Sequence, residues 1–393
     1  MRVAGVVLLL IAAPAGAQRA VPDNSPDAAE RGAMAGASGF AFSGVATLDI
    51  FGNFRGGLAR GVRAPVKLAA AAAYDGGNGW TGLASAQYVN GSELSGDLVG
   101  DTQTVDNIEA AKGVRVYELW AKREWQRVSL KFGLTDLNTD FDQQEAGALF
   151  LNSSDGIAAE FSHTGRTGPS IFPTTGLAVT LGVQPAAGWD LKLGVFDGVP
   201  GSPDHPRRFS LHLGGDDGAL VVAQATKRWG DRLRIAGGVW GYTTRLDTLD
   251  PDRPARRLRA SRGIYGVVEG PLFDDHRGHR LVTGWLRAGI ADARVNRIAS
   301  YVGGGVTLAS PLGSRDGDDA GISVMRAGFG GPARRAVPGS RRAETTIEAT
   351  YHVSLGGGLA VQPDVQYVIH PDGAPGRRDA FVAGLRLTLA VSH

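Results

Sequence analysis

Between Leu359 and Ile369 the chain alternates without a break. Leu359, Val361, Pro363, Val365, Tyr367 and Ile369 share one parity, and Gln362, Asp364 and Gln366 share the other. A β-strand sends successive side chains to opposite faces, so this segment is apolar on one side and carries amides and a carboxylate on the other. In water the apolar side needs a covering sheet or helix. In a transmembrane barrel lipid covers it, and the polar side lines a water-filled lumen.

The alternation recurs along the chain. Val128, Leu130 and Phe132 oppose Arg127, Ser129 and Lys131; Trp189, Leu191, Leu193 and Val195 oppose Asp190 and Lys192; Phe381, Ala383, Leu385, Leu387, Leu389 and Val391 oppose Arg386 and Thr388. Such runs of roughly 9 to 11 residues have the length a tilted membrane strand needs. The pattern predicts sixteen strands, near 43–52, 66–75, 80–90, 114–124, 127–134, 176–184, 189–197, 218–228, 232–243, 261–270, 280–290, 297–310, 320–329, 343–355, 358–369 and 379–391. The expected fold is all-β, a 16-stranded antiparallel transmembrane barrel occupying residues 43–393.

The spacers test that expectation independently, because outer-membrane barrels join strands by short turns on one side and longer loops on the other. The tight connections at 76–79, 125–126, 185–188, 229–231 and 356–357 all fall on one side. Most long ones, at 91–113, 135–175, 198–217, 244–260 and 330–342, fall on the opposite side. Spacers 271–279 and 311–319 are long for the short-turn side, and 291–296 is short for the other. A load of 58 Gly suits turns and close strands better than helices.

Met1-Arg2, the apolar run Val3 to Ala13 and Ala15-Gly16-Ala17 have the layout of a signal peptide over 1–17, with a mature start near Gln18 and a periplasmic leader over 18–42, for which a short plug helix inside the barrel is the alternative. The location expected is the bacterial outer membrane. Lys plus Arg at 41 nearly balance Asp plus Glu at 39, and the paired arginines lack interleaved aromatics, so nucleic acid is not an expected partner. Cys is absent, which excludes thiol chemistry and disulfides.

Five stretches, in order, carry a family likeness. They are Val116-Tyr117-Glu118-Leu119-Trp120; Phe132-Gly133-Leu134-Thr135-Asp136-Leu137-Asn138 followed by Asp140-Phe141; Leu149-Phe150-Leu151-Asn152-Ser153-Ser154-Asp155-Gly156; Val195-Phe196-Asp197-Gly198-Val199-Pro200-Gly201; and Val361 to Pro371. From about 114 to 391 the chain resembles the OprB family of carbohydrate-selective porins. The resemblance implies a sixteen-stranded outer-membrane channel that passes sugars by diffusion, with no cofactor and no chemistry. Small sugars, outer-membrane lipid and the barrel-assembly machinery are the expected partners, and the sequence leaves monomer and homo-oligomer both open. His393 departs from the aromatic residue that usually ends such barrels.

A sugar pathway needs hydrogen-bonding groups for hydroxyls and flat apolar faces for C–H surfaces. Glu118, Trp120 and Lys122 offer both on one parity; the competing arrangement places Trp120 in a lipid-facing girdle with Tyr117 and Leu119 inward. Trp285, beside Thr283 and Arg287, makes a similar case, and Gln362, Asp364 and Gln366 supply polar lining. Loop 135–175 carries Asp136, Asn138 and Asp140 against the basic strand positions Arg127, Lys131, Arg234 and Arg386. Folded inward it would form an eyelet with acids facing bases; folded outward it would be a solvated external loop.

Arg207-Arg208, Arg253, Arg256-Arg257, Arg259, Arg334-Arg335, Arg341-Arg342 and Arg377-Arg378 fall in outward loops, where guanidinium forks suit lipopolysaccharide phosphates or simply keep the loops soluble. Asp274 to His279 lacks the layout of a dedicated metal site, and no metal is expected. Ser162-His163 and Ser210 with His212 lack an orienting third group, which leaves an outer-membrane hydrolase a weak rival. A general or anion-preferring porin is the nearer rival, and an exported soluble lectin a more distant one.

Overall fold

The computed structural model describes residues 39–201, 217–251, 257–274, 281–311 and 317–392. Sixteen long antiparallel strands form one closed sheet, to which the three-residue strand Gly61–Arg63 adds a short pairing along the first of them. In chain order they are β1 (Gly39–Gly57), β2 (Val66–Asp75), β3 (Trp80–Val89), β4 (Gly113–Trp125), β5 (Val128–Thr135), β6 (Gly176–Val183), β7 (Trp189–Asp197) and β8 (Ala219–Arg228). The second half comprises β9 (Arg234–Tyr242), β10 (Arg262–Asp274), β11 (Leu281–Ala291), β12 (Ile298–Ala309), β13 (Asp319–Phe329), β14 (Ala343–Gly356), β15 (Leu359–Ile369) and β16 (Arg378–Ser392). Each strand pairs with its sequence neighbour, and β1 closes the ring on β16 from Ser43↔Ser392 to Gly57↔Arg378. Closure leaves no sheet edge, so every strand can satisfy its backbone without water.

Fourteen of the strands lie within two residues of their expected bounds. The exceptions are β1, which runs from Gly39 to Gly57 rather than 43–52, and β10, which continues to Asp274. In β1 alternation fails where Phe51, Gly52 and Asn53 are all buried, yet pairing to β16 continues through two register shifts. Residues 39–42, expected in the leader, pair with β2. The extra residues of β10 absorb much of the long spacer at 271–279. The signal peptide over 1–17, the rest of the leader, Ser210, His212, the stretch 275–279 and His393 lie outside the described residues.

The faces alternate as the opening stretch requires. Val365 is 42% exposed on the outer face, while its neighbours Asp364 and Gln366 are buried on the inner one. Val114, Leu193, Ile264, Leu286, Val324 and Leu389 continue the apolar exterior around the ring. At the short-turn end Trp80, Trp125, Trp189 and Trp229 stand exposed. Arg123 lies over Trp80 and Trp125, and Lys227 over Trp189 and Trp229. Rings with one wet and one apolar side, backed by cations, mark a membrane interface.

The core lies inside the barrel. Connections 90–112 and 136–175 fold back into the lumen, where Leu94, Leu98, Val99 and Val105 pack on Phe51, Val368 and Val382. On the other side Phe141 and Phe161 pack on Phe196, Trp240 and Tyr265.

Val365→Arg places a cation on the lipid face near mid-strand and should cost about 2–4 kcal/mol at the bilayer midplane. Asp364→Asn, on the inner face, should leave folding intact. Denaturant unfolding in lipid vesicles checks both, and equal tolerance would mean that the faces are reversed.

Candidate functional site

The wall of the site starts with a bulge in β4. Pairing to β3 jumps from Ala84↔Leu119 to Ala86↔Val116, so one extra residue sits in β4 and parity changes there. Arg115 and Tyr117 point inward before the bulge; Glu118 and Trp120 point inward after it. Tyr117 and Glu118 are therefore both buried although adjacent. Gly133 of β5 pairs with Trp120 at φ +136°, where a Cβ would stand 2.3 Å from the Leu119 carbonyl oxygen. The glycine lets the two backbones close on one another.

On this wall the first residues of the inward loop join the strand side chains. Lys131 Nζ lies 3.0 Å from Asp140, 3.8 Å from Glu118 and 4.6 Å from the centre of the Trp120 ring. Lys192 of β7 reaches the other Asp140 oxygen at 3.2 Å. Glu118 accepts the Asp136 backbone N–H at 2.9 Å, and Tyr117 donates its hydroxyl to Asp136. Trp120 is half-buried against Ala71, Ala73 and Leu83 on the inner face. At the end of the loop Lys67 of β2 stands 5.2 Å over the Phe172 ring.

Across the lumen the same loop is pinned by buried ion pairs. Arg287 of β11 donates to Asp142 at 2.8 Å and also to Glu160, between the rings of Tyr265 and Tyr301. Arg234 of β9 holds Glu269 at 2.6 Å and the Gln143 carbonyl at 3.0 Å. Glu348 of β14 accepts the N–H groups of Leu151 and Asn152, and Gln362 and Gln366 of β15 bond Leu149 and Asn152. Asn138 binds carbonyls within the loop itself. Asp364 bonds its neighbour Gln366.

The second inward loop is tied in the same manner. Arg386 of β16 holds Asp49 of β1 at 2.6 Å and Asp106 of the loop at 3.1 Å, and Glu344 accepts the N–H groups of Thr102 and Gln103. Of the acids and bases expected to face each other across an eyelet, Lys131 and Asp140 meet directly, whereas Arg234 pairs with Glu269 and Arg386 with Asp49 and Asp106. Charge is spent on docking loops, and in the Lys131–Asp140–Lys192 cluster Lys131 is buried while Asp140 and Lys192 keep some exposure.

Other expected residues lie elsewhere. Arg127 is exposed in the β4–β5 turn and bonds the Pro185 carbonyl, and Lys122 pairs with Glu124 near the same end. Trp285 faces inward, but Phe150 covers its ring at 5.1 Å between centres. Ser162 reaches His163 Nδ1 at 3.0 Å, and that nitrogen also contacts the Ala159 carbonyl. The clamps Glu344 and Glu348 do not stand out in the sequence, although both lie on the polar parity of their strand. Nor does the inward fold of 90–112, whose only signal is its apolar set Leu94, Leu98, Val99 and Val105.

The model of the family described as "Carbohydrate-selective porin, OprB family" matches residues 66–390. The chain belongs to the OprB family. It is 22% identical to Porin B of Pseudomonas aeruginosa over 344 residues, which cover 76% of this chain and 74% of that protein. The high-pH structure of Pseudomonas putida OprB superimposes with a TM-score of 0.78 at 18% identity, covering 90% of this chain and 94% of that one. The trimer form of Vibrio cholerae OmpT gives 0.52 at 10% identity, over 91% and 100% of the two chains. The fold and family are those of channels in the bacterial outer membrane, not of enzymes.

Within this OprB barrel the loop carboxylates fall into two classes. Burial works against ionisation of Asp140, but Lys131 and Lys192 hold its carboxyl well below the usual carboxylate range. Burial pushes Asp155 up to about 8, against one hydrogen bond from Ser323 and beside the like charge of Asp364. Burial also brings Glu160 up to about 7, against the pull of Arg287 and beside the like charge of Asp142.

Such raised groups bind their protons more tightly when the loop is docked. Asp155 therefore favours docking fully below its unfolded value of 3.8, and that contribution is lost as pH rises through about 8. Amide exchange over 147–160, corrected for its intrinsic pH dependence, should be slower at pH 6 than at pH 9. Asp155→Asn should flatten the difference; an unchanged slope would assign it to another group. Arg287→Gln leaves two carboxylates unpaired and should cost about 3–5 kcal/mol of docking energy. Single-channel conductance should then rise and fluctuate, and a wild-type trace would show that the loop does not narrow the passage.

Proposed function

We infer that this chain is a passive porin that selects sugars at the narrowed passage beside the β4–β7 wall. The observation that carries the reading is the Lys131–Asp140–Lys192 cluster set against Trp120. A charged, hydrogen-bonding surface there adjoins an aromatic ring, whereas Arg287, Arg386, Glu344 and Glu348 are committed to holding the loops. Sugar hydroxyls exchange bonds with the ammonium and carboxylate groups, while the ring covers a C–H face. Of the residues expected along the pathway, Glu118, Trp120, Lys131, Asp136 and Asp140 act there; Arg234, Arg287, Gln362, Asp364, Gln366 and Arg386 act by positioning the loops.

A chain of this class is exported through a cleaved signal peptide, residues 1–17 here, and inserted by the assembly machinery. The trimeric form of OmpT supports self-association. The outer face of β1–β3 suits it, because Gly44, Ala70 and Ala86 lie in one row and Ala72 and Ala84 in the next.

Liposome swelling and planar-bilayer recordings test the reading. Trp120→Ala should lower flux of mono- and disaccharides several-fold relative to glycine, because a pore site must bind weakly enough to release. Asp140→Asn should shift ion preference toward anions, and Lys192→Met toward cations. If sugar and glycine flux fall together in Trp120→Ala, the channel is a general one. If neither charge variant moves the reversal potential, the cluster is not on the pathway.

A further inference from the structure

The lipid-facing wall has a recess near the long-loop end of β10 to β13, with a volume of about 590 Å³. Its floor is small because Gly266 pairs with Ala288, and Ser300 with Gly328. Its sides are the exposed Ile264, Ile290 and Val302. Elsewhere on these strands the outer face carries Leu286, Val306, Ile322 and Val324, which fill the surface. The recess is therefore an apolar groove in an otherwise covered wall.

One charged residue closes it. Arg326 of β13 pairs in register with Val302, on the same outer parity as Ile322 and Val324, and is exposed. Its guanidinium donates to Thr345 Oγ1 at 3.0 Å, and among the described residues no carboxylate pairs with it. Arg294 in the neighbouring 292–297 turn, by contrast, is held by Asp292 at 2.5 Å. Arg262, two residues above Ile264 on the same face, adds a second exposed cation at the rim.

A guanidinium on the lipid face is least costly near the interface, where phosphate headgroups lie. The apolar groove and the cation at its β13 side match the acyl chain and the headgroup of an anionic lipid. We propose that this groove binds a phosphorylated lipid of the outer leaflet, with one acyl chain along Ile264, Ile290 and Val302 and a headgroup phosphate on Arg326. The site lies outside the lumen, so it acts on anchoring in the membrane rather than on solute choice.

Native mass spectrometry of the folded, detergent-solubilised barrel tests this with lipid A, with lipid A stripped of its phosphates, and with inorganic phosphate as competitor. Arg326→Gln should lower lipid A occupancy about tenfold, the worth of one charge-assisted contact. Gly266→Leu should also lower it by filling the groove, since a Cβ there meets nothing nearer than the Ala236 carbonyl at 3.7 Å. Arg294→Gln should retain wild-type occupancy. The dephosphorylated lipid should bind as weakly to the wild type as lipid A binds to Arg326→Gln.

Wild-type occupancy in Arg326→Gln overturns the proposal, as does displacement of lipid A by inorganic phosphate, which would mark a simple anion site. A dimer mass that appears as lipid leaves would make the groove an interface between copies and also overturn it. Heat-modifiability on gels confirms folding of each variant. If Gly266→Leu does not fold, Arg326→Gln alone decides.

Discussion

Lipid offers no hydrogen-bond partners, and the architecture follows from that constraint. A sheet in lipid must close on itself, and a closed sheet of sixteen strands encloses more space than its own side chains can fill. A filter therefore has to be built from the connections. Here two connections turn inward, and the polar inner face that water requires serves as the surface to which they are bonded. The alternation that makes a membrane strand also makes a socket for a loop.

The sockets explain why so few lumen charges remain free. A guanidinium in an enclosed space is tolerable only with carboxylates beside it, and Arg287 and Arg386 each hold two. Each loop gains a fixed position but loses the electric field that separated walls of acids and bases would create. Near Lys131 and Lys192 one carboxylate serves two ammonium groups, of which Lys192 is partly exposed. The selection proposed for this channel rests on that side of the passage.

Period-two patterning carries the strands, so β2 and β7 begin and end where Val66, Asp75, Trp189 and Asp197 suggest. It fails where it is interrupted. The glycines at 52, 56 and 57 hide the second half of β1, and the bulge at Tyr117 and Glu118 joins two alternations that a single parity cannot describe. The site is less legible for a different reason. Alternation says that Gln362, Gln366 and Arg386 point inward, but not whether they meet water or a loop. That depends on contacts such as Asn152 to Gln366, between residues far apart in the chain. Phe150 over Trp285 is the same case, since the covering ring belongs to another segment.

Arg386 and Asp49 face each other across the seam where the last strand meets the first, and the same guanidinium reaches Asp106 on an inward loop. Zipping the seam and seating that loop thus share one bond network. A nascent barrel still open between β1 and β16 lacks the complete socket, and the loop is fastened when the final strand arrives. Closing the ring and fastening the 90–112 loop thereby draw on the same side chain.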